Sequence, residues 1–271
     1  MAQEDLKKIA HDIRCDVLRM YYRAGWGHIA SALSCVDILT AVYFGDGLFH
    51  AGKEHVVLSK GHAAATQYAI LARLGMIERS ELATFYQPHS RLSGLASSLV
   101  PSIAVPTGSL GQGLCFATGT SLAAKIDNSG AFTYVVLGDG EMQEGSVWEA
   151  AMFARNQRLG NLIAIADVNG LQASGQVDDI APLSPLCEKW RAFGWRTLEL
   201  NGHDIPAIVH AVREAREDDG KPTFLLAHTV KGKGLSFVEN RADWHSRRPT
   251  DEEWQKACDE MGMTLEELKT L

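Results

Sequence analysis

No stretch of this 271-residue chain approaches the roughly 18 apolar residues that a membrane-spanning helix needs, so no membrane association is expected. The start, MAQEDLKKIAHDIRCDV, is charged and helical in pattern, unlike a secretory signal. Cysteine is scarce and badly spaced for cross-linking. The five residues Cys15, Cys35, Cys115, Cys187 and Cys258 are odd in number, lie far apart and form no CxxC pair. Neither a zinc site nor a disulfide framework is expected. A reducing, cytoplasmic setting fits, with the thiols as small buried hydrophobes. Positive charge is short as well: 26 Lys and Arg against 33 Asp and Glu leave a net charge of −7. The basic residues are scattered, with only the short cluster Arg247-Arg248. A nucleic-acid binder usually carries a basic stripe, so no such partner is expected. Linkers, internal repeats and low-complexity segments are absent from the sequence.

What remains is ordinary globular composition, 46% hydrophobic and 22% charged, long enough for one large core or two modest ones. Leu6, Ile9, Ile13, Val17 and Met20 recur every three or four residues, which predicts an amphipathic helix ending near Gly25. A second helix is expected from Ser34 to Tyr43, with Ser34 as N-cap. HVVLS reads as a strand, and the alanine-rich GHAAATQYAILARLG as a helix stopping at Gly75. From Gln87 to Thr107 three prolines and several serines leave no period, so a long surface loop is expected. LGQGLCFATGTSLAAK is a helix of small residues, suited to close packing. Strands AFTYVVLG, NLIAIADV, WRTLEL and TFLLAHT then alternate with helices over 146–158, 184–193 and 206–216. Such alternation predicts a single α/β domain over 1–271, a mainly parallel sheet with helices on both faces. A helix over 3–24 precedes it, and an irregular segment with a last helix near Asp251 to Met261 fills 234–271.

In an open parallel sheet, ligands bind beyond the carboxyl ends of the strands. Asp139 lies just past such an end, in VVLGDGEMQEGSVWEAA, between Gly138 and Gly140, whose backbones can turn sharply and approach a ligand. GDG alone fits a plain strand-to-helix turn equally well, with the aspartate as cap. A second turn, in IAIADVNGLQASG, changes the balance. Asn169 follows Asp139 by 30 residues, about one strand–helix–strand unit, so both side chains emerge at one sheet edge. Carboxylate and amide oxygens together suit Mg²⁺ or Ca²⁺, and Mg²⁺ usually completes its shell with phosphate oxygens and water. A diphosphate-bearing cofactor follows.

These two turns resemble the thiamine-diphosphate motif. SKGHAAATQYAIL, TGSLGQGL, NGHDI, KPTFLLAHTVKGKGLSF and GHIASALSCVDILTAVYF resemble the transketolase family, over most of the span from Gly27 to His245. The likeness is nearest to the N-terminal subunit of split transketolases, and implies the thiamine-diphosphate-binding fold in its diphosphate-binding (PP) form. By that resemblance Asp139 and Asn169 bind the metal through side chains and Leu171 through its carbonyl. Gly140, with Gly138 beside it, meets the diphosphate. Gly108, Ser109 and Leu110 lie against the thiamine rings. His62 reaches the diphosphate, and His28 and His245 stand at the reacting carbon. Glu144 faces a subunit interface; a first-turn acid favoured by the helix dipole would explain it too. For His228 and Lys231, in HTVKGKG, a functional role and simple loop packing remain open.

The resemblance also implies what the chain does not supply. Thiamine catalysis uses a glutamate from a second, pyrimidine-binding domain. A partner chain carrying that domain is expected, in a heterotetramer with two copies of each chain. The implied activity is transfer of a two-carbon ketol unit from a ketose phosphate to an aldose, within carbohydrate metabolism. One departure bears on the donor: Leu95 stands where the family places a substrate-binding histidine, and Ala104 near a family glutamate, while His89 offers a substitute. A modified sugar, or a 2-oxo acid delivering a two-carbon unit, fits that change. A non-catalytic binding subunit fits it as well, but not the intact set of metal-binding residues.

Overall fold

The structure, a computed structural model, describes residues 3–217 and 220–271; the first two residues of the expected 1–271 domain lie outside the described residues. The chain opens with α1 (Gln3–Ala24), whose Leu6, Ile9, Ile13, Val17 and Met20 are all buried. α2 (Ile29–Ser34) and α3 (Val36–Phe44) follow. Here the structure differs from the single helix expected from Ser34. Cys35 interrupts the run, and Ser34 ends α2 rather than capping its successor. The Ser34 hydroxyl is directed to the carboxylate of Asp167 at 2.6 Å, with the Ser31 carbonyl 3.1 Å away. A buried tertiary acceptor has outcompeted the local cap.

β1 (His55–Leu58) leads through a 3₁₀ turn into α4 (Ala64–Arg73). The expected long loop is present, and α5 (Gln112–Ile126) begins after it. Then come β2 (Thr133–Gly138), α6 (Gly145–Asn156) and β3 (Leu162–Val168). A hairpin of β4 (Leu171–Gln172) and β5 (Gly175–Gln176) follows, then α7 (Val177–Ile180) and α8 (Leu186–Ala192). The chain closes with β6 (Arg196–Asn201), α9 (Ile205–Ala215), β7 (Thr223–His228), α10 (Asp251–Met261) and α11 (Leu265–Lys269). No helix among the described residues is long and apolar enough to cross a membrane.

Five strands form one all-parallel sheet in the order β1-β2-β3-β7-β6. Alternate strand residues point to opposite faces and feed two cores. On one face Tyr134, Val136, Ile163 and Ile165 pack with α1, α3, α4 and α9. On the other, Val135, Leu137, Ala164 and Ala166 pack with α5, α6 and α8. The small residues of α5 serve close approach. A Cβ on Gly113 would lie 2.7 Å from the Cα of Ser59, so only glycine lets this helix rest on the end of β1.

Register places the site. Leu58 pairs with Val136, Gly138 with Asp167, and Val168 with His228. The turns after β1, β2, β3 and β7 therefore leave the sheet together, at its carboxyl edge.

Candidate active site

Asp139 and Asn169 meet at that edge. The Asp139 carboxylate accepts from the backbone N–H of Gly140 at 2.8 Å, of Asn169 at 3.0 Å and of Gly170 at 2.6 Å. The Asn169 side-chain oxygen accepts from Leu171 N at 3.2 Å. Burial and the nearby Asp167 push the Asp139 carboxyl above its ordinary pKa, against the pull of its amide donors. A cation at this spot would lower that cost.

Above the pair opens a cavity of 440 Å³, lined by His28, His62, Gly108, Leu110, Asn169, Leu171 and His245, among others. Gly138, Asp139 and Gly140 form part of its wall, and Glu144 lies at it with an exposed side chain. Ser109 alone of the expected contact residues does not line it; its side chain is exposed. The three histidine rings form a triangle, with centroids 5.2 Å (His28–His62), 5.3 Å (His28–His245) and 5.6 Å (His62–His245) apart. Burial lowers the pKa of all three. Lys231 and Lys60 push in the same direction, and His245 falls to about 4. Each ring is thus neutral near pH 7, able to donate one N–H and accept one proton.

Two lysines and an aspartate complete the floor. Lys60 and Asp167 form a buried ion pair, and Ser34 and Thr229 also bond to that carboxylate. Burial opposes both charges, yet their mutual attraction holds the lysine's pKa above and the aspartate's below the ordinary values. Lys231, 1% exposed, donates to the Leu171 carbonyl at 3.3 Å and to Nδ1 of His245 at 3.0 Å. Burial, helped by Lys60, lowers its pKa to about 8. The open question on HTVKGKG is thereby divided. Lys231 enters the cavity, while exposed His228 pairs with Glu199 at 2.6 Å on the surface.

Sequence reasoning passed over Lys60, Asp167 and Glu141. Asp167 carried a signal, a charge within the apolar strand NLIAIADV. Lys60 carried none, because a buried lysine looks like any other until its partner is seen. His89 does not take the place of the missing histidine; it is exposed and lines no part of the cavity. Leu95 does line it, 44% exposed, beside Gly108.

This arrangement can hold an anionic phosphate group with a hard divalent cation. Among the described residues no cluster of three or more His, Cys, Asp or Glu is placed to bind a metal on its own. One carboxylate, one amide and one carbonyl leave the rest of the shell to a ligand, which suits Mg²⁺ with phosphate oxygens. Two buried polar atoms on the lining, Nδ1 of His28 and Oε1 of Gln172, have no protein partner. Gly140 leaves space there; a Cβ would come within 2.7 Å of that Gln172 oxygen.

The profile described as "Transketolase, thiamine diphosphate binding domain" matches residues 6–269. One of the two kinds of chain in the apulose-4-phosphate transketolase of Phocaeicola vulgatus is 38% identical, over 99% of this chain and 98% of that protein. The 6-deoxy-6-sulfo-D-fructose transketolase subunit SqwG of a Clostridium species is 40% identical, over 96% and 97% respectively. Among solved structures, the transketolase of Campylobacter jejuni superposes with a TM-score of 0.89 at 29% identity. That match covers 97% of this chain but 43% of the longer one.

Proposed function

Because this chain belongs to the transketolase family, through its thiamine diphosphate binding domain, we propose that it is the coenzyme-holding subunit of a two-chain transketolase. Its activity is thiamine-diphosphate-dependent ketol transfer, exercised together with a second subunit. The observation that carries the site assignment is the junction of the Asp139 carboxylate with the Asn169 turn, at the floor of a cavity walled by three neutral histidines. We assign Asp139, Asn169 and the Leu171 carbonyl to Mg²⁺, for which Ca²⁺ can substitute. Gly138, Gly140, His62 and Lys231 are assigned to the diphosphate, and Gly108, Ser109 and Leu110 to the ring side.

Bound there, thiamine diphosphate supplies the carbon nucleophile and the electron sink for breaking a bond next to a carbonyl. His28 and His245, neutral and close together, donate to an oxygen that gains negative charge and carry protons to and from substrate hydroxyls. Lys231 places a positive charge against the diphosphate. Exposed Glu144 is assigned to the contact with a pyrimidine-domain partner subunit, in a cytoplasmic heterotetramer. Two near-full-length relatives are named for apulose-4-phosphate and for 6-deoxy-6-sulfo-D-fructose. The donor proposed here is likewise a sugar phosphate or a modified sugar, met by Leu95 instead of a polar side chain.

The test is reconstitution with the pyrimidine-domain subunit. Calorimetry should show saturable binding of thiamine diphosphate only with Mg²⁺, and ketoses or hydroxypyruvate should donate to an aldose. Release of CO₂ from pyruvate with no turnover of any ketose would overturn ketol transfer in favour of a 2-oxo-acid enzyme. No coenzyme binding by the assembled pair would make this a non-catalytic subunit.

A further inference from the structure

Glu141 is buried, 2% exposed, and its carboxylate accepts from three separate segments of chain. Oε1 takes the hydroxyl of Ser59, 82 residues away, and the N–H of Gly111 at 2.9 Å, 30 residues away. Oε2 takes the N–H of Gly138 at 3.0 Å. Each donor is the immediate neighbour of a cavity residue: Ser59 precedes Lys60, Gly111 follows Leu110, and Gly138 precedes Asp139.

An acid in the first turn of a 3₁₀ segment would ordinarily be served by local amides and water. This one has been taken out of water, which is costly for a charge unless donors replace the solvent. Burial raises its pKa, and the three donors oppose that. The geometry of those donors is too distributed for a local cap. It fixes the distances between the SKGH, GSLGQG and GDG turns at one point.

We propose that Glu141 is a positioning residue that holds these three turns at the spacing the coenzyme needs, so that the site is formed before the ligand arrives. The proposal rests on the coenzyme reading above. Preformed contacts avoid an ordering cost at the moment of binding, so the residue acts on affinity. It touches no reacting atom, so the chemical step at saturating coenzyme is unaffected.

In Glu141→Gln the side chain keeps one oxygen, and its NH₂ must face at least one buried N–H donor. The wild-type and variant chains, assembled with the partner, are titrated with thiamine diphosphate and Mg²⁺. The expected result is a Kd raised about tenfold, with kcat at saturating coenzyme changed less than about twofold. In the coenzyme-free chain, the Gly111 and Gly138 amides should exchange with solvent faster. If E141Q does not fold, Ser59→Ala, which removes one of the three donors, decides. It should raise Kd about threefold, consistent with the loss of one modest hydrogen bond. Failure of the wild-type assembly to bind would overturn the coenzyme reading and this proposal with it. Binding by the wild type, with an unchanged Kd in a folded variant, would overturn this proposal alone.

Discussion

His203 and Asp37 lie 2.7 Å apart, Nδ1 to Oδ2, across 166 residues of sequence. Arg14 grips the same carboxylate through two bonds, at 3.0 and 2.6 Å. The far nitrogen of His203 accepts from the Val230 N–H at 2.8 Å, so Nδ1 carries the ring proton and donates to Asp37. Val230 precedes Lys231. The NGHDI motif therefore ties α1 and α3 to the turn that sends a lysine into the cavity.

Asp37→Asn should break this tie. Burial alone would raise the Asp37 pKa, but His203 and Arg14 outweigh it and hold the carboxyl below its ordinary range. A carboxylate with a depressed folded pKa stabilises fully above its unfolded pKa, and that contribution is lost as pH falls through the folded value. The variant leaves Arg14 as a buried charge without its anion, costing about 3 kcal/mol at neutral pH. Urea denaturation measures this. The gap to wild type should narrow as pH falls below about 4, where the wild-type carboxyl also gains its proton.

The histidine triangle makes a second pH prediction. Burial and Lys231 depress His245 to about 4, against an ordinary 6.5. As pH falls from 6.5, the unfolded chain takes up this proton and the coenzyme-free folded chain does not until about 4. Melting temperature should therefore decline across that window. His245→Gln should flatten the decline. Lys231→Met, by removing a neighbouring charge, should shift the histidine's titration upward in an NMR titration. An unchanged His245 pKa in that variant would show that burial acts alone.

Most of the sheet was legible because parallel strands buried on both faces read as apolar runs, and the glycine-marked turns after β2 and β3 sit where the register predicts. The boundaries that slipped did so for tertiary reasons. Ser34 looked like a cap because nothing in its neighbourhood of sequence announces Asp167, 133 residues on. The Lys60–Asp167 pair and the three-way grip of Glu141 were invisible for the same cause: each is a meeting of segments, and only the ends are written in sequence. The final short helix, Leu265–Lys269, was missed although Thr264 and Glu267 form a capping box. Its five residues are too few to show a period.

Asp139→Asn and Asn169→Ala should each abolish Mg²⁺-dependent coenzyme binding to the extent that a metal ligand matters. Substitution of residues merely supporting metal ligands typically costs about 10–100-fold in metal affinity, so a direct ligand should reach at least the upper end. Calorimetry at fixed coenzyme and varied Mg²⁺ reads this. EDTA should release coenzyme from the wild type, and Ca²⁺ should restore it. Retention of full affinity by both variants would remove the metal from this corner of the cavity.

Leu95 is the residue through which donor choice can be tested. Its backbone is pinned: the carbonyl accepts from the Tyr68 hydroxyl at 2.8 Å and the Ser93 hydroxyl at 2.7 Å, and the next N–H, of Ala96, donates to the Gly61 carbonyl at 3.2 Å. A replacement side chain therefore leaves from the same place, at the same angle, into the mouth of the cavity beside Gly108. Leu95→His sets there a donor and acceptor where the wild type offers only an apolar surface. For a ketose phosphate with a free hydroxyl at this point, one added hydrogen bond in the transition state should raise kcat/KM about tenfold. For a donor that presents an apolar or differently shaped group, the histidine leaves its own polar edge poorly matched, and kcat/KM should fall. The ratio of the two rates in the reconstituted enzyme, and not either rate alone, is the measurement. A substitution that moved both donors equally would mean that Leu95 lies outside the donor's reach and that specificity is set elsewhere on the cavity wall.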